Sequence, residues 1–375
     1  MSDRSRLRLL VLQVLVLSLL VTLLARLWSL QVMSGEEYQV AAESNRVRDV
    51  VTQPVRGLIL DDQGRPLVRN RTTLVVSVDR TELGRQPDDG AAVLARLAAK
   101  LGTTPVAIVD RITLCGTEGA KKPPVCWNGS PYQPVPVARD VPTEVALSIM
   151  ERREDYPGVS AELEAVREYP EPAGANAAHL VGYIGPVTDE EVAASQQGDN
   201  PLHRSDLIGR AGLEAVYDEQ LRGVPGVKQL AVDRSGAVTG TIGETAAVPG
   251  SYLVTSIDAK VQAVAEKALL DQITAARKGE TYKGPYKADS GAAVVLDVRT
   301  GRVVAMASYP SYDPSVWVGG ISEKEYAALT DEAAGTPLLS RAVSGEFAPA
   351  STFKVVSTSA AVQAGYSTSS SYPCT

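Results

Sequence analysis

Histidine is nearly absent from this 375-residue chain: His179 and His203 are the only two, and neither has a set of ligand-type side chains nearby. A histidine-based metal centre is therefore not expected, and no cofactor is expected either. An excess of basic charge is also missing. With 37 Lys and Arg against 44 Asp and Glu, the net charge of −7 excludes nucleic acid as a natural partner. Cysteine is scarce, at three residues. Charge is lacking altogether from Leu9 to Ala25, a run of Leu and Val broken only by Gln13, Ser18 and Thr22.

That uncharged run follows Arg4, Arg6 and Arg8 and continues past Arg26 through Leu27, Trp28 and Leu30. It reaches the roughly 20 residues that a spanning helix needs. Arg26 can snorkel, Trp28 suits the interface, and the basic flank orients residues 1–8 to the cytoplasm and the rest outward. A cleaved signal peptide is the alternative. The run is long for a signal's apolar core, however, and no clear small-x-small site follows it. The expectation is an uncleaved anchor over 9–30, a single-pass protein of the cell membrane and an extracytoplasmic bulk. In that compartment Cys115 and Cys126, bracketing a loop of Gly, Lys and Pro, are expected to pair, and Cys374 is expected to find its partner beyond Thr375.

The length and 44% hydrophobic content allow more than one packed domain. Gly35 to Glu43 reads as an amphipathic segment leading to Asn45-Arg46. Arg56 to Val68 alternates around an Asp/Gln/Gly turn and reads as a hairpin, and Thr73–Val78 as a further strand. Helical spacing covers 88–101, 107–112 and 143–154, and Gly226 to Val232 closes the region as a strand. Arg56, Asp61, Arg167 and Glu214 are candidates for ion pairs that fix this region's shape, solvated surface charges being the alternative. From Tyr252 the character changes. A strand leads to an Ala-, Leu- and Val-rich helix over 259–276. Gly291 to Ser308 then reads as two strands joined at Arg299–Gly301, both apolar enough to be buried on both faces.

Ser351-Thr352-Phe353-Lys354 opens the last helical run, which stops at Gly365. Three positions apart on a helix, the Ser351 hydroxyl and the Lys354 amine share a face within hydrogen-bonding reach. A serine needs a neighbour to take its proton, and a lysine can do so as the free amine. The expectation is a nucleophile and its base at the first turn of a buried helix packed, with 259–276, on the hairpin. By itself Ser-x-x-Lys is a weak signal, and an ordinary helix start is the alternative.

Taken together and in order, the basic-flanked anchor, Asn45-Arg46, Arg56-Gly57 to Gly64, Arg167 to Pro170, Ala178 to Gly185, Gly209 to Glu214, Val294 to Ser308 and Pro337 to Lys354 resemble the class B penicillin-binding proteins, elongation type. The resemblance implies an α+β protein with an N-terminal transmembrane helix, an elongated mixed pedestal domain over 34–250 and the beginning of a penicillin-binding, serine β-lactamase-like transpeptidase domain over 251–375. It also implies Ser351 as nucleophile and Lys354 as its partner in peptidoglycan D,D-transpeptidation. Stem peptides, β-lactams, a SEDS-type glycosyltransferase and elongation-complex proteins are the implied partners. Two features depart from the family. Ala350 stands where the family usually has Gly, which is expected to matter little. No Ser-x-Asn or Lys-Thr/Ser-Gly follows Ser351, so the chain is expected to be an incomplete, inactive fragment. A non-catalytic membrane-anchored scaffold is the alternative of another class. A β-lactamase is disfavoured by the anchor and the long pedestal.

Overall fold

The computed structural model describes residues 3–29, 47–122, 125–198, 200–233, 238–281 and 284–371. The expected amphipathic segment 35–43, Asn45-Arg46 and Cys374 lie outside them. Helix α1 runs Asp3–Trp28. Among the described residues no single helix is long and apolar enough to cross a membrane, and Leu12–Trp28 forms a shorter apolar helix.

Beyond α1 the chain folds around two cores. Strands β1 (Val47–Thr52), β2 (Ile59–Leu60), β3 (Pro66–Val78), β4 (Val135–Ala138) and β5 (Val159–Glu168) alternate with helices α2 (Ala91–Leu101), α3 (Pro105–Ile112) and α4 (Thr143–Glu151). The first core takes the buried faces of β3 through Val76 and Val78, of α2 through Val93, Leu94 and Leu97, and of α3 through Ile108 and Ile112. Each is the apolar stripe that the sequence period presents. Helix α2 starts three residues later than its spacing predicts, because Asp88 and Asp89 hold positive φ in the turn Pro87–Gly90. Thr104 caps α3 through the Ala107 amide. Cys115 and Cys126 form the expected disulfide, with Cα atoms 5.1 Å apart.

The long β3 is the spine. It pairs antiparallel with β5 from Arg69↔Glu168 to Val78↔Val159, and with β2 and β4. Strands β6 (Ile184–Pro186) and β7 (Leu207–Gly209) form a separate antiparallel pair. Strands β8 (Gly226–Val232) and β9 (Val238–Thr245) return to β1, giving an antiparallel sheet in the order β1-β8-β9. Strand β10 (Leu253–Val254) then runs parallel to β2. The second core therefore joins the two halves of the chain: Ile59 and Val68 pack with Val181, Leu221, Ile257 and Ala259.

The C-terminal part holds helix α5 (Ala259–Lys278), the antiparallel pair β11 (Gly291–Leu296) and β12 (Val303–Tyr309), and helices α6 (Glu323–Thr330) and α7 (Lys354–Gln363). Helix α5 packs on β12. Gln262 is fully buried and serves the strand backbone, donating to the Met306 carbonyl (2.9 Å) and accepting from the Met306 amide (2.7 Å). Burial departs from expectation in two places. Ala305 and Ala307 of β12 are buried, but Val294 and Leu296 of β11 are 48% and 54% exposed. Helix α7 is exposed at every position but Ala361. The predicted cover of the hairpin by 352–364 is thus not found: α5 covers it, and no described element covers α7.

Candidate active site

Ser351 lies in a 3-10 turn, Ala350–Phe353, that runs straight into α7. The Lys354 amide closes this turn on the Ser351 and Thr352 carbonyls, and the Thr352 amide bonds Pro349 O at 3.0 Å. Ala350 takes φ +45°, in the left-handed region. For a residue with a Cβ that conformation costs about 1–2 kcal/mol. The Ala-for-Gly departure therefore bears on the backbone, whereas the sequence reading weighed only space.

The structure places Ser351 and Lys354 three residues apart on an exposed turn and does not bond them to each other. The Ser351 hydroxyl and the Lys354 amine make no hydrogen bond or ion pair among the described residues. The first turn of a buried helix, as expected from sequence, is instead a solvated one. The side chains that could bury it, Phe353, Val355, Val356 and Val362, are 48–73% exposed.

Upstream, the segment leading to the serine is held firmly. Arg341 donates its backbone N–H to Ser308 Oγ on β12 (2.7 Å). Its guanidinium donates to the carbonyls of Gly335, Thr336 and Leu339, so it organises the loop from within. His179 reaches the same loop from the N-terminal half: Nε2–H donates to Pro337 O at 2.8 Å, and the ring meets Tyr312 edge-on at 5.2 Å. Four residues on, Tyr183 stacks on Trp317 with centroids 3.6 Å apart. Glu266 of α5 accepts the Asn176 and Ala177 amides at 2.9 and 2.8 Å. Sequence reasoning missed this junction: it singled out Ala178 to Gly185 and Pro337 to Lys354 separately, but their contact joins positions far apart in the chain that no local pattern connects. Among the described residues no His/Cys/Asp/Glu group is arranged to hold a metal.

Burial pushes the His179 imidazole below its ordinary 6.5, and Arg341 adds to this, while the Pro337 carbonyl pulls the other way. A folded-state value below the unfolded one means that the unfolded chain binds the proton more readily. The contribution to stability is thus present above the ordinary value and lost as pH falls through the folded value. The urea midpoint is expected to drop between about pH 7.5 and about pH 5.5, and His179→Gln to shrink that drop. An unchanged pH profile in the variant would contradict the assignment.

The ion-pair candidates separate into two groups. Glu214, in the short helix Gly212–Val216, accepts Arg56 Nε at 2.6 Å on one oxygen and Arg167 Nε at 2.8 Å on the other. Arg56 also reaches Asp218 at 2.8 Å. Asn70 ties the two arginines together, donating to Arg56 O and accepting from Arg167 Nη1. Gly209 on β7 permits the close approach, because a Cβ there would sit 1.8 Å from the Glu214 carbonyl oxygen. Asp61 is elsewhere, pairing with Arg65 at 2.6 Å. Burial pushes its carboxyl up, but hydrogen bonds from Arg65, Gln63 and Ala259 outweigh that and hold it below the usual range. Arg65 goes on to Asp258, the N-cap of α5, so this turn also ties the two halves of the chain.

Residues 51–255 match the Penicillin-binding Protein dimerisation domain, and residues 291–375 match the Penicillin binding protein transpeptidase domain. The Escherichia coli K12 protein named Peptidoglycan D,D-transpeptidase MrdA is 30% identical over 92% of this chain and 49% of its own length. Penicillin-binding protein 3 of Bacillus subtilis 168 is 30% identical over 88% of this chain and 42% of its own. The chain thus spans about half the length of the curated relatives it matches. Among solved structures, a chain from a peptidoglycan synthase complex that coordinates polymerization and crosslinking is 27% identical, with a TM-score of 0.55 over 97% of this chain and 56% of that one. The Helicobacter pylori penicillin-binding protein PBP2, solved with MreC, shares the fold at 19% identity and TM-score 0.55, over 79% of this chain and 48% of that one. With both domain families matched in order along an α+β chain, the protein belongs to the class B penicillin-binding proteins.

Proposed function

We propose that the chain is the membrane-tethered part of a peptidoglycan D,D-transpeptidase of cell-wall elongation, with Ser351 as nucleophile and Lys354 as its base. The observation that carries this reading is the position of Ser351 and Lys354 at the entry to α7, inside the segment that matches the transpeptidase domain. In a protein that also carries the Ser-x-Asn and Lys-Thr/Ser-Gly motifs, Lys354 takes the Ser351 proton as Oγ attacks the carbonyl carbon of the penultimate D-alanine of a stem peptide. The peptide bond to the terminal D-alanine breaks, and the proton passes to the departing amine. An amine of a neighbouring stem then attacks the acyl ester, restoring the serine. A β-lactam presents the same carbonyl and acylates the same oxygen. The solvated, unbonded Ser351–Lys354 pair is equally compatible with a non-catalytic scaffold, and penicillin labelling separates the two.

On this reading residues 1–8 are cytoplasmic, 9–30 the anchor, 34–250 the pedestal and 251–375 a transpeptidase segment. The leucines and valines from Leu12 to Leu27 support the anchor, being 49–62% exposed all round the helix, as suits a lipid-facing surface. The bulk is then extracytoplasmic, in keeping with the Cys115–Cys126 disulfide. The anchor and pedestal hold the enzyme to a SEDS-type glycosyltransferase and other elongation proteins, a role suggested by the synthase complex whose chain is 27% identical. Replacing Leu9–Leu30 by an unrelated spanning helix is expected to weaken co-purification with such a polymerase. Undiminished recovery would refute the anchor's part in that contact.

A further inference from the structure

A pocket of about 400 Å³, whose lining does not include Ser351, opens between α3 and β4. Leu101, Ile108 and Val137 form its apolar wall, and Arg111 and Arg139 bring two guanidiniums to it. Neither guanidinium hydrogen-bonds or pairs with a carboxylate among the described residues. Asp110 lines the same pocket without forming an ion pair with either. Arg139 feels Asp140 and Glu164 at longer range, but Asp140 is already engaged by Arg71 and Thr73. Burial, and then the neighbouring Arg139, push Arg111 below its ordinary value.

Two like charges drawn partly out of water beside each other lose hydration and repel, and an opposite charge at bonding distance is the usual compensation. Among the described residues no carboxylate, Asp110 included, bonds either guanidinium there. An oxyanion does what a carboxylate side chain would do, since a guanidinium fork matches carboxylate or phosphate in two parallel bonds. The volume lies within the range of small-molecule sites, which combine apolar walls with a few polar groups. We propose that this pocket binds a small oxyanion carried on an apolar body, the two arginines taking the anion and Leu101, Ile108 and Val137 the body.

Full chain in detergent, titrated with benzoate, benzamide and inorganic phosphate and followed by thermal unfolding and calorimetry, tests this. Benzoate is expected to raise Tm saturably, as a ligand selective for the folded state does. Benzamide, the same shape without charge, is expected to bind at least about ten-fold more weakly. Arg111→Gln and Arg139→Gln should each lower benzoate affinity by about ten-fold or more, and Arg111→Lys should retain part of it. Arg111→Gln also removes a repulsion, so its Tm without ligand is expected to equal or exceed that of the parent. A saturable response to phosphate alone would assign the site to phosphate-bearing ligands. A response to benzoate only would assign it to carboxylates. The proposal is overturned if neither anion produces a saturable shift, if benzamide binds as well as benzoate, or if the glutamine variants bind unchanged.

Discussion

Replacing Glu214 by alanine is expected to lower stability by about 3–5 kcal/mol, among the largest effects of any single side chain in the N-terminal half. The carboxylate is fully buried and divides its oxygens between Arg56 and Arg167, whose side chains are 9% and 2% exposed. Its removal leaves two desolvated guanidiniums facing each other, with Asp218 able to compensate only Arg56. Burial already pushes Arg167 below its ordinary value, and Glu214 is what opposes that push. The contrast is Arg71 with Asp140, whose side chains are 39% and 50% exposed. Arg71 pulls the Asp140 carboxyl down to about 2. Water and salt nevertheless screen that pair, and Arg71→Ala is expected to cost less than about 1 kcal/mol. Urea unfolding of both variants checks the ordering. Equal losses would mean that the buried cluster does not hold β5, β7 and the approach to β2 together.

The second large effect is chemical. In a longer chain that supplies Ser-x-Asn and Lys-Thr/Ser-Gly, Ser351→Ala is expected to abolish labelling by fluorescent penicillin. Lys354→Ala should slow it by roughly 10²–10⁴-fold, the usual worth of a positioned base. The 375 residues alone are expected to label very slowly. Among the described residues the Ser351 hydroxyl has no acceptor for its proton, and none walls in the strained turn at Ala350.

Much of the architecture could be read before any coordinates. The Arg56–Val68 and Gly291–Ser308 hairpins, the helices expected over 88–101, 107–112, 143–154 and 259–276 and found over 91–101, 105–112, 143–151 and 259–278, and the Cys115–Cys126 pair are local features that period, turn residues and spacing report. Arg56, Arg167 and Glu214 were candidates for pairing, but their grouping without Asp61 was not legible, because Asp61 is claimed by Arg65 four residues away. The return of β8 to β1 was also hidden. Val47 and Ala231 meet across most of the N-terminal half, and both strands are only partly buried, so neither pattern names its partner. The candidate site shows the same limit. The sequence marks Phe353, Val355 and Val356 as residues that want cover, but apolar periodicity does not say which element supplies it. The His179–Pro337 and Tyr183–Trp317 contacts across the junction escaped for that reason too.

The most direct test is the rate of covalent penicillin attachment at Ser351, read by fluorescent labelling and located by peptide mass spectrometry, with Bacillus subtilis penicillin-binding protein 3 run in parallel. The 375-residue chain is expected to acquire the adduct at least about a hundred-fold more slowly than the relative, because no base is hydrogen-bonded to the serine among the described residues. Labelling of Ser351 in this chain at the relative's rate would contradict it.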